Sequence, residues 1–214
     1  NNSHKIEKDV NKSLQSKIEK YYGKFCLEKV MDLNNDRRKP VEFVDEYPYS
    51  TIGVLHFTDS KGVKWKGTGT LIAENIVLTC AHNVFDRETK KEYNDMLFVV
   101  RLKNGKLREE YCSNVLKYYF PKNDYIKNDN EDYAILILET NIGKHCGFMG
   151  IAYDYNLEDN KEYNLYGYPK LKDNRILLYG MNIKNENNSK NLWIENGILK
   201  HKIDTEGGQS GSSI

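Results

Sequence analysis

From Asn34 onward the chain is a succession of short apolar runs cut by turn residues, and that cadence limits the architectures open to it. Pro40-Val41-Glu42-Phe43-Val44 and Ile52-Gly53-Val54-Leu55-His56-Phe57 alternate in part and are rich in β-branched and aromatic residues, as half-buried strands are. Asp59-Ser60-Lys61-Gly62 has the chemistry of a hairpin turn, after which residues 63–65 and 69–72 continue a meander. Strands packed this closely, with no alternating helical pattern, predict an all-β barrel or sandwich rather than βα units. With 214 residues, 39% of them hydrophobic, the chain can bury a core without metal or disulfide staples.

Residues 1–33 differ. Val10, Leu14, Ile18, Tyr21, Tyr22 and Phe25 recur at steps of three and four, with lysine and glutamate between them, which predicts an amphipathic helix broken or ended near Gly23. Such a helix packs on the main domain, serves as a pro-segment, or binds a partner. It carries no residue suited to catalysis.

Three stretches carry chemistry. In Asp204-Thr205-Glu206-Gly207-Gly208-Gln209-Ser210-Gly211-Ser212-Ser213-Ile214 a serine stands in a glycine-rich loop that can turn through backbone angles closed to other residues. The N–H groups of Gly208 and Ser210 can then converge on a developing oxyanion. Upstream, Ile76-Val77-Leu78-Thr79-Cys80-Ala81-His82 is an apolar strand running into a histidine, and Asp132 stands directly before the apolar run Ala134-Ile135-Leu136-Ile137-Leu138. Each alone has a bland explanation, a strand-end histidine or a turn residue. Together they supply a hydroxyl, an imidazole to take its proton and a carboxylate to hold the imidazole.

A net charge of +1 and the lack of a long basic run argue against a nucleic-acid binder. No apolar stretch reaches membrane-spanning length, and no signal peptide is evident. Cys26, Cys80, Cys112 and Cys146 are too widely spaced for a zinc motif or a dense disulfide framework and are expected to be mostly free thiols. The five histidines are scattered without a His-Glu-x-x-His spacing, so neither a metal nor another cofactor is expected. No cysteine takes the nucleophile's place in the glycine loop, against a cysteine peptidase. Asn1, Asn11 and Asn187 open Asn-x-Ser triplets that permit glycosylation only in a secreted chain.

On these residues the sequence resembles the chymotrypsin-like serine proteases, and within them the glutamyl-endopeptidase-like branch. Leu78-Thr79-Cys80-Ala81-His82, Asp132-Tyr133-Ala134-Ile135-Leu136 and Gly207-Gly208-Gln209-Ser210-Gly211 are similar to that fold's histidine, aspartate and nucleophile motifs. Asn35-Asp36-Arg37 followed by Tyr47-Pro48-Tyr49-Ser50-Thr51-Ile52, then Asn141-Ile142-Gly143 and Gly167-Tyr168-Pro169, point to the branch. The resemblance implies an all-β fold of two six-stranded antiparallel barrels, one over residues 34–142 and one over 143–214, after the helical extension 1–33. It implies a serine endopeptidase with His82, Asp132 and Ser210 as the triad and the Gly208 and Ser210 amides as the oxyanion hole. Thr205 would help bind a substrate glutamate, giving cleavage of peptides and proteins after Glu or Asp. Family members carry strands and a histidine beyond the serine, so the second barrel is expected to be truncated at its C-terminus, completed by further chain or by a protein partner. The competing expectation is a trypsin-like fold without activity that acts as a binding or assembly module. His201 precedes the serine and is expected to be an ordinary strand residue. The resemblance favours secretion, while the unpaired cysteines leave an intracellular setting open.

Overall fold

The computed structural model describes Leu14, Lys17 and residues 36–103, 106–152, 156–171, 175–186 and 190–214. The helix expected over 1–33, apart from Leu14 and Lys17, lies outside the described residues, as do Cys26 and the triplet asparagines Asn1, Asn11 and Asn187. Strands dominate: β1 (Lys39–Pro40), β2 (Ile52–Thr58), β3 (Lys64–Ala73), β4 (Ile76–Thr79), β5 (Phe85–Asp86), β6 (Lys91–Glu92), β7 (Asn94–Val100), β8 (Cys112–Tyr119), β9 (Ala134–Leu138), β10 (Glu162–Gly167), β11 (Tyr179–Lys184), β12 (Leu192–Glu195) and β13 (Ile198–His201).

Six of these close an antiparallel barrel in the order β2-β3-β4-β9-β8-β7. The β2–β3 turn forms as its residues dictate. Gly62 N–H donates to Asp59 O at 3.0 Å, and the Asp59 carboxylate accepts from Lys61 and Val63 amides at 2.8 and 2.9 Å. Successive side chains on a strand point to opposite faces, and β2 and β7 use both. Leu55, Phe57, Phe98 and Val100 point into the barrel with Leu71, Val77, Leu136 and Leu138. Their neighbours Val54, Leu97 and Val99 join a second cluster with Ile52, Val44, Tyr168, Ile176 and Leu178, which also buries Leu14. Two strands therefore serve two cores.

The second cluster binds the barrel to a three-stranded sheet, β1-β11-β10, beside which β12 and β13 form a hairpin. A smaller core of Leu165, Met181, Ile183, Leu192 and Ile203 joins sheet and hairpin. Among the described residues one barrel closes. Of the run 40–44, expected as a strand, only Pro40 pairs with β11, beside Lys39. Val41 N–H still reaches Leu178 O, but the chain then turns, with Glu46 N–H on Phe43 O at 3.0 Å, and leaves the sheet. Cys80, Cys112 and Cys146 are free thiols. No described helix is long and apolar enough to cross a membrane.

Candidate active site

His82 sits in the 3-10 turn Ala81–Asn83 that follows β4, and Asp132 sits just before β9, the barrel neighbour of β4. The pairing Thr79↔Ala134 puts the two strand ends side by side. The Asp132 carboxylate then takes both donors of the histidine: the His82 backbone N–H at 2.9 Å and Nδ1 at 2.6 Å. With Nδ1–H donated to Asp132, the lone pair resides on Nε2, the tautomer a general base needs. Burial pushes the Asp132 carboxyl up, but the hydrogen bond and charge of His82 and the amides of His82 and Ala81 outweigh it and hold the group below the usual carboxylate range.

The serine comes from far along the chain, and backbone and side-chain groups of the barrel hold its loop. Thr68, fully buried on β3, donates its N–H to Ser210 O at 2.8 Å. Its hydroxyl donates to Gly208 O at 2.8 Å and accepts from Tyr168 N–H at 3.0 Å. Asn83, next to the histidine and buried, donates from Nδ2 to Ser210 O and to Thr79 Oγ1, both at 2.9 Å. One asparagine thus ties the serine's backbone to the turn that carries the imidazole. Among the described residues no hydrogen bond joins the Ser210 hydroxyl to His82, and Ser210 itself is half-buried.

Two of the glycines around Ser210, Gly208 and Gly211, are required by geometry. Gly208 and Gly211 both have φ of +91°, the left-handed region that favours glycine. A Cβ at Gly208 would lie 2.5 Å from Tyr168 O, and one at Gly211 would lie 2.0 Å from Thr68 O. The loop turns between Glu206 and Gln209, with Gln209 N–H on Glu206 O at 3.0 Å. Lys66, whose Nζ donates to Pro169 O at 2.9 Å, flanks Gly208; burial, with the Lys170 charge, lowers its ammonium to about 8.

The other expected site residues are less engaged. Thr205 is exposed between Asp204 and Glu206. His201 ends β13, half-buried, with Nδ1 accepting from Ile203 N–H at 3.2 Å. Sequence reasoning missed Thr68, Asn83 and the position of Cys80. The thiol of Cys80 lies with the donor atoms of His82 and Asp132 inside a 4.8 Å cluster, a set of atoms able to meet a metal ion. Burial and the Asp132 charge push that thiol up to about 12, so it stays protonated and unreactive. The adjacency of Asn83 to His82 was the available signal for one of these residues; nothing local marks Thr68.

Residues 45–214 match the family model described as Trypsin. The glutamyl endopeptidase of Bacillus licheniformis is 25% identical over 182 residues, 85% of this chain and 54% of that protein, so the chain spans about half the length of this curated relative. A solved Glu endopeptidase structure is similar with a TM-score of 0.67 and 25% identity, covering 84% of this chain and 79% of the other. The protease Anisep from Arthrobacter nicotinovorans shares the fold at a TM-score of 0.64 and 18% identity, over 82% of this chain and 78% of its own. With the histidine, aspartate and serine stretches all inside the matched span, the chain belongs to the trypsin family, in the branch similar to glutamyl endopeptidases.

Proposed function

We propose that the protein is a serine endopeptidase that cleaves peptide bonds through an acyl-enzyme, after Glu or Asp. The observation that carries this reading is the 2.6 Å contact between His82 Nδ1 and Asp132, on a turn whose next residue, Asn83, binds the backbone of Ser210. In this reading Ser210 Oγ attacks the scissile carbonyl while His82 Nε2 takes its proton. His82 then returns the proton to the leaving amine, and a water repeats the cycle to release the acid. Asp132 stabilises the transient imidazolium, and the amides of Gly208 and Ser210 receive the oxyanion. The side-chain hydroxyl of Thr205 meets the substrate carboxylate. The strands β10, β11, β12 and β13 belong to a second barrel, residues 143–214, which faces residues 34–142 across the substrate cleft and which β1 joins at its edge from the earlier segment.

Fluorophosphonate labelling tests this. The probe phosphonylates an activated serine, so the wild-type chain should be labelled and Ser210→Ala should not. Labelling that survives Ser210→Ala would remove Ser210 from the role. A folded wild-type chain that resists the probe would instead assign the fold to binding or assembly. Peptide libraries with Glu, Asp or Gln before the cleaved bond then test specificity.

A further inference from the structure

Two consecutive arginines link the chain upstream of the family-matched span, which begins at residue 45, to the segment entering Ser210. Arg37 grips one end of that segment. Its N–H and Nε donate to Asp204 Oδ2 at 3.1 and 3.0 Å, and its Nη2 donates to Asp204 Oδ1 at 2.9 Å and Lys202 O at 3.0 Å. Arg38 grips the other end from inside the protein. It is 7% exposed, and its Nη1 donates to Gln209 Oε1, while Nη2 reaches Glu206 Oε2 at 3.3 Å. Asp36 holds the same guanidinium, accepting from Nε at 2.8 Å and Nη2 at 2.6 Å.

Gln209 and Glu206 are the two ends of the turn that presents Gly208. Gln209 Oε1 also accepts the Glu206 N–H at 3.1 Å, so the amide of one turn residue, the side chain of the other and Arg38 form a single knot. Gln209 is 4% exposed and its Nε2 has no hydrogen-bond partner among the described residues, so the Oε1 contacts hold that side chain in place. Removing Arg38 would leave Asp36 and Glu206 facing each other without their shared cation, and would free the turn that aims the Gly208 amide. A lysine supplies one point charge and cannot span Asp36, Glu206 and Gln209 together as a planar fork does.

We propose that Arg37 and Arg38 are positioning residues that hold the Glu206–Gln209 turn, and with it the Gly208 and Ser210 amides, in the geometry that receives an oxyanion. The proposal rests on Ser210 as nucleophile. The N-terminal flank is then part of the active site rather than an appendage to it.

The test uses the full chain with a fluorophosphonate, separating the maximal labelling rate from probe affinity. Arg38→Ala should lower the maximal rate about 10²-fold, the scale of a misplaced catalytic group, with probe affinity nearly unchanged. Arg38→Lys should recover only part of it. Guanidinium ion at millimolar concentration, small enough to enter the space left in Arg38→Ala, should restore labelling there but not in Ser210→Ala. Arg37→Ala removes an exposed side chain, tolerates folding, and should slow labelling a fewfold. Wild-type rates in both alanine variants would overturn the proposal, as would a slowed Arg38→Ala that guanidinium fails to restore beside an unaffected Arg37→Ala. If the wild-type chain is not labelled, the enzymatic reading fails by itself. Amide hydrogen exchange over residues 204–211 then decides the clasp: faster exchange in Arg38→Ala supports it, and unchanged exchange overturns it.

Discussion

The two halves of the site are held by different means. The His82–Asp132 half stands at the ends of adjacent strands of a closed barrel, where the backbone ladder from β4 to β9 sets the register and two bonds from His82 hold the carboxylate. The Ser210 half follows a short hairpin in the region of the three-stranded sheet, and its loop is held by single backbone bonds from Thr68 and Lys170 together with side chains: Thr68 and Asn83 on the barrel side, Arg37 and Arg38 on the other. Ladder hydrogen bonds come in a series that fails cooperatively. A loop pinned by separate side chains can lose one pin at a time. Damage to the barrel should therefore show as global unfolding, and damage to the pins as lost activity in a folded protein.

The largest effect should come from Asp132→Asn, which keeps the shape but offers His82 the wrong hydrogen-bonding partner. On the serine-protease reading, kcat should fall about 10⁴-fold with a thermal midpoint close to wild type. A loss below tenfold in steady-state peptide cleavage would break the assignment of the barrel half.

Phe98→Ala attacks the barrel itself. The ring is fully buried in the inner cluster that includes Leu55, Val77 and Leu136, and its edge lies against Gly53 and Gly69. Chemical denaturation should show a loss of about 3–5 kcal/mol, with the whole domain unfolding in one transition. Separate transitions for barrel and sheet would show that the two regions are less coupled than the shared faces of β2 and β7 imply.

His56 makes the barrel acid-sensitive. It is buried on β2, and burial, with the charges of Lys66 and Lys64, lowers its imidazolium from 6.5 to about 3. The unfolded chain takes a proton below 6.5 that the folded chain refuses, so stability falls as pH drops from 6.5 toward 3. The loss should reach about 3–5 kcal/mol at the acid end, read by urea unfolding across that range. His56→Gln should flatten the slope; an unchanged slope would place the acid sensitivity elsewhere.

Thr68→Val should be the mildest of the destabilising changes and the most local one. It deletes the hydroxyl that bridges Gly208 O and Tyr168 N–H while leaving the β3 backbone in place. Unfolding free energy should fall by about 1–3 kcal/mol, while the fluorophosphonate rate falls more steeply than stability alone accounts for. A drop in stability with an unchanged rate would show that the serine loop does not depend on this pin.

The barrel half was legible because its signals are local. Alternation over Ile52–Thr58, the Asp59–Gly62 turn and the apolar run before His82 each act within a few residues, and each formed as its residue types dictate. The run 40–44 misled for the opposite reason. Its strand pattern is sound, but a strand lasts only while a partner lies alongside, and here the chain turns away after Val41. Cys80 illustrates another limit. Its place before a histidine is plain in the sequence, yet only the meeting of β4 with β9 brings its thiol beside Asp132.

By itself the sequence determined the strand-and-turn class of the fold, the order histidine, aspartate, serine, and the glycines without which the Ser210 loop cannot turn. Tertiary structure alone decided which strands close a barrel, that Asn83 and Thr68 hold Ser210, and that Arg37 and Arg38 clasp the approach to it. Those contacts join residues 127 positions apart for Asn83 and Ser210 and 171 apart for Arg38 and Gln209. A residue's type sets what it can bond to, but over such separations only the packing of the intervening chain sets what it meets.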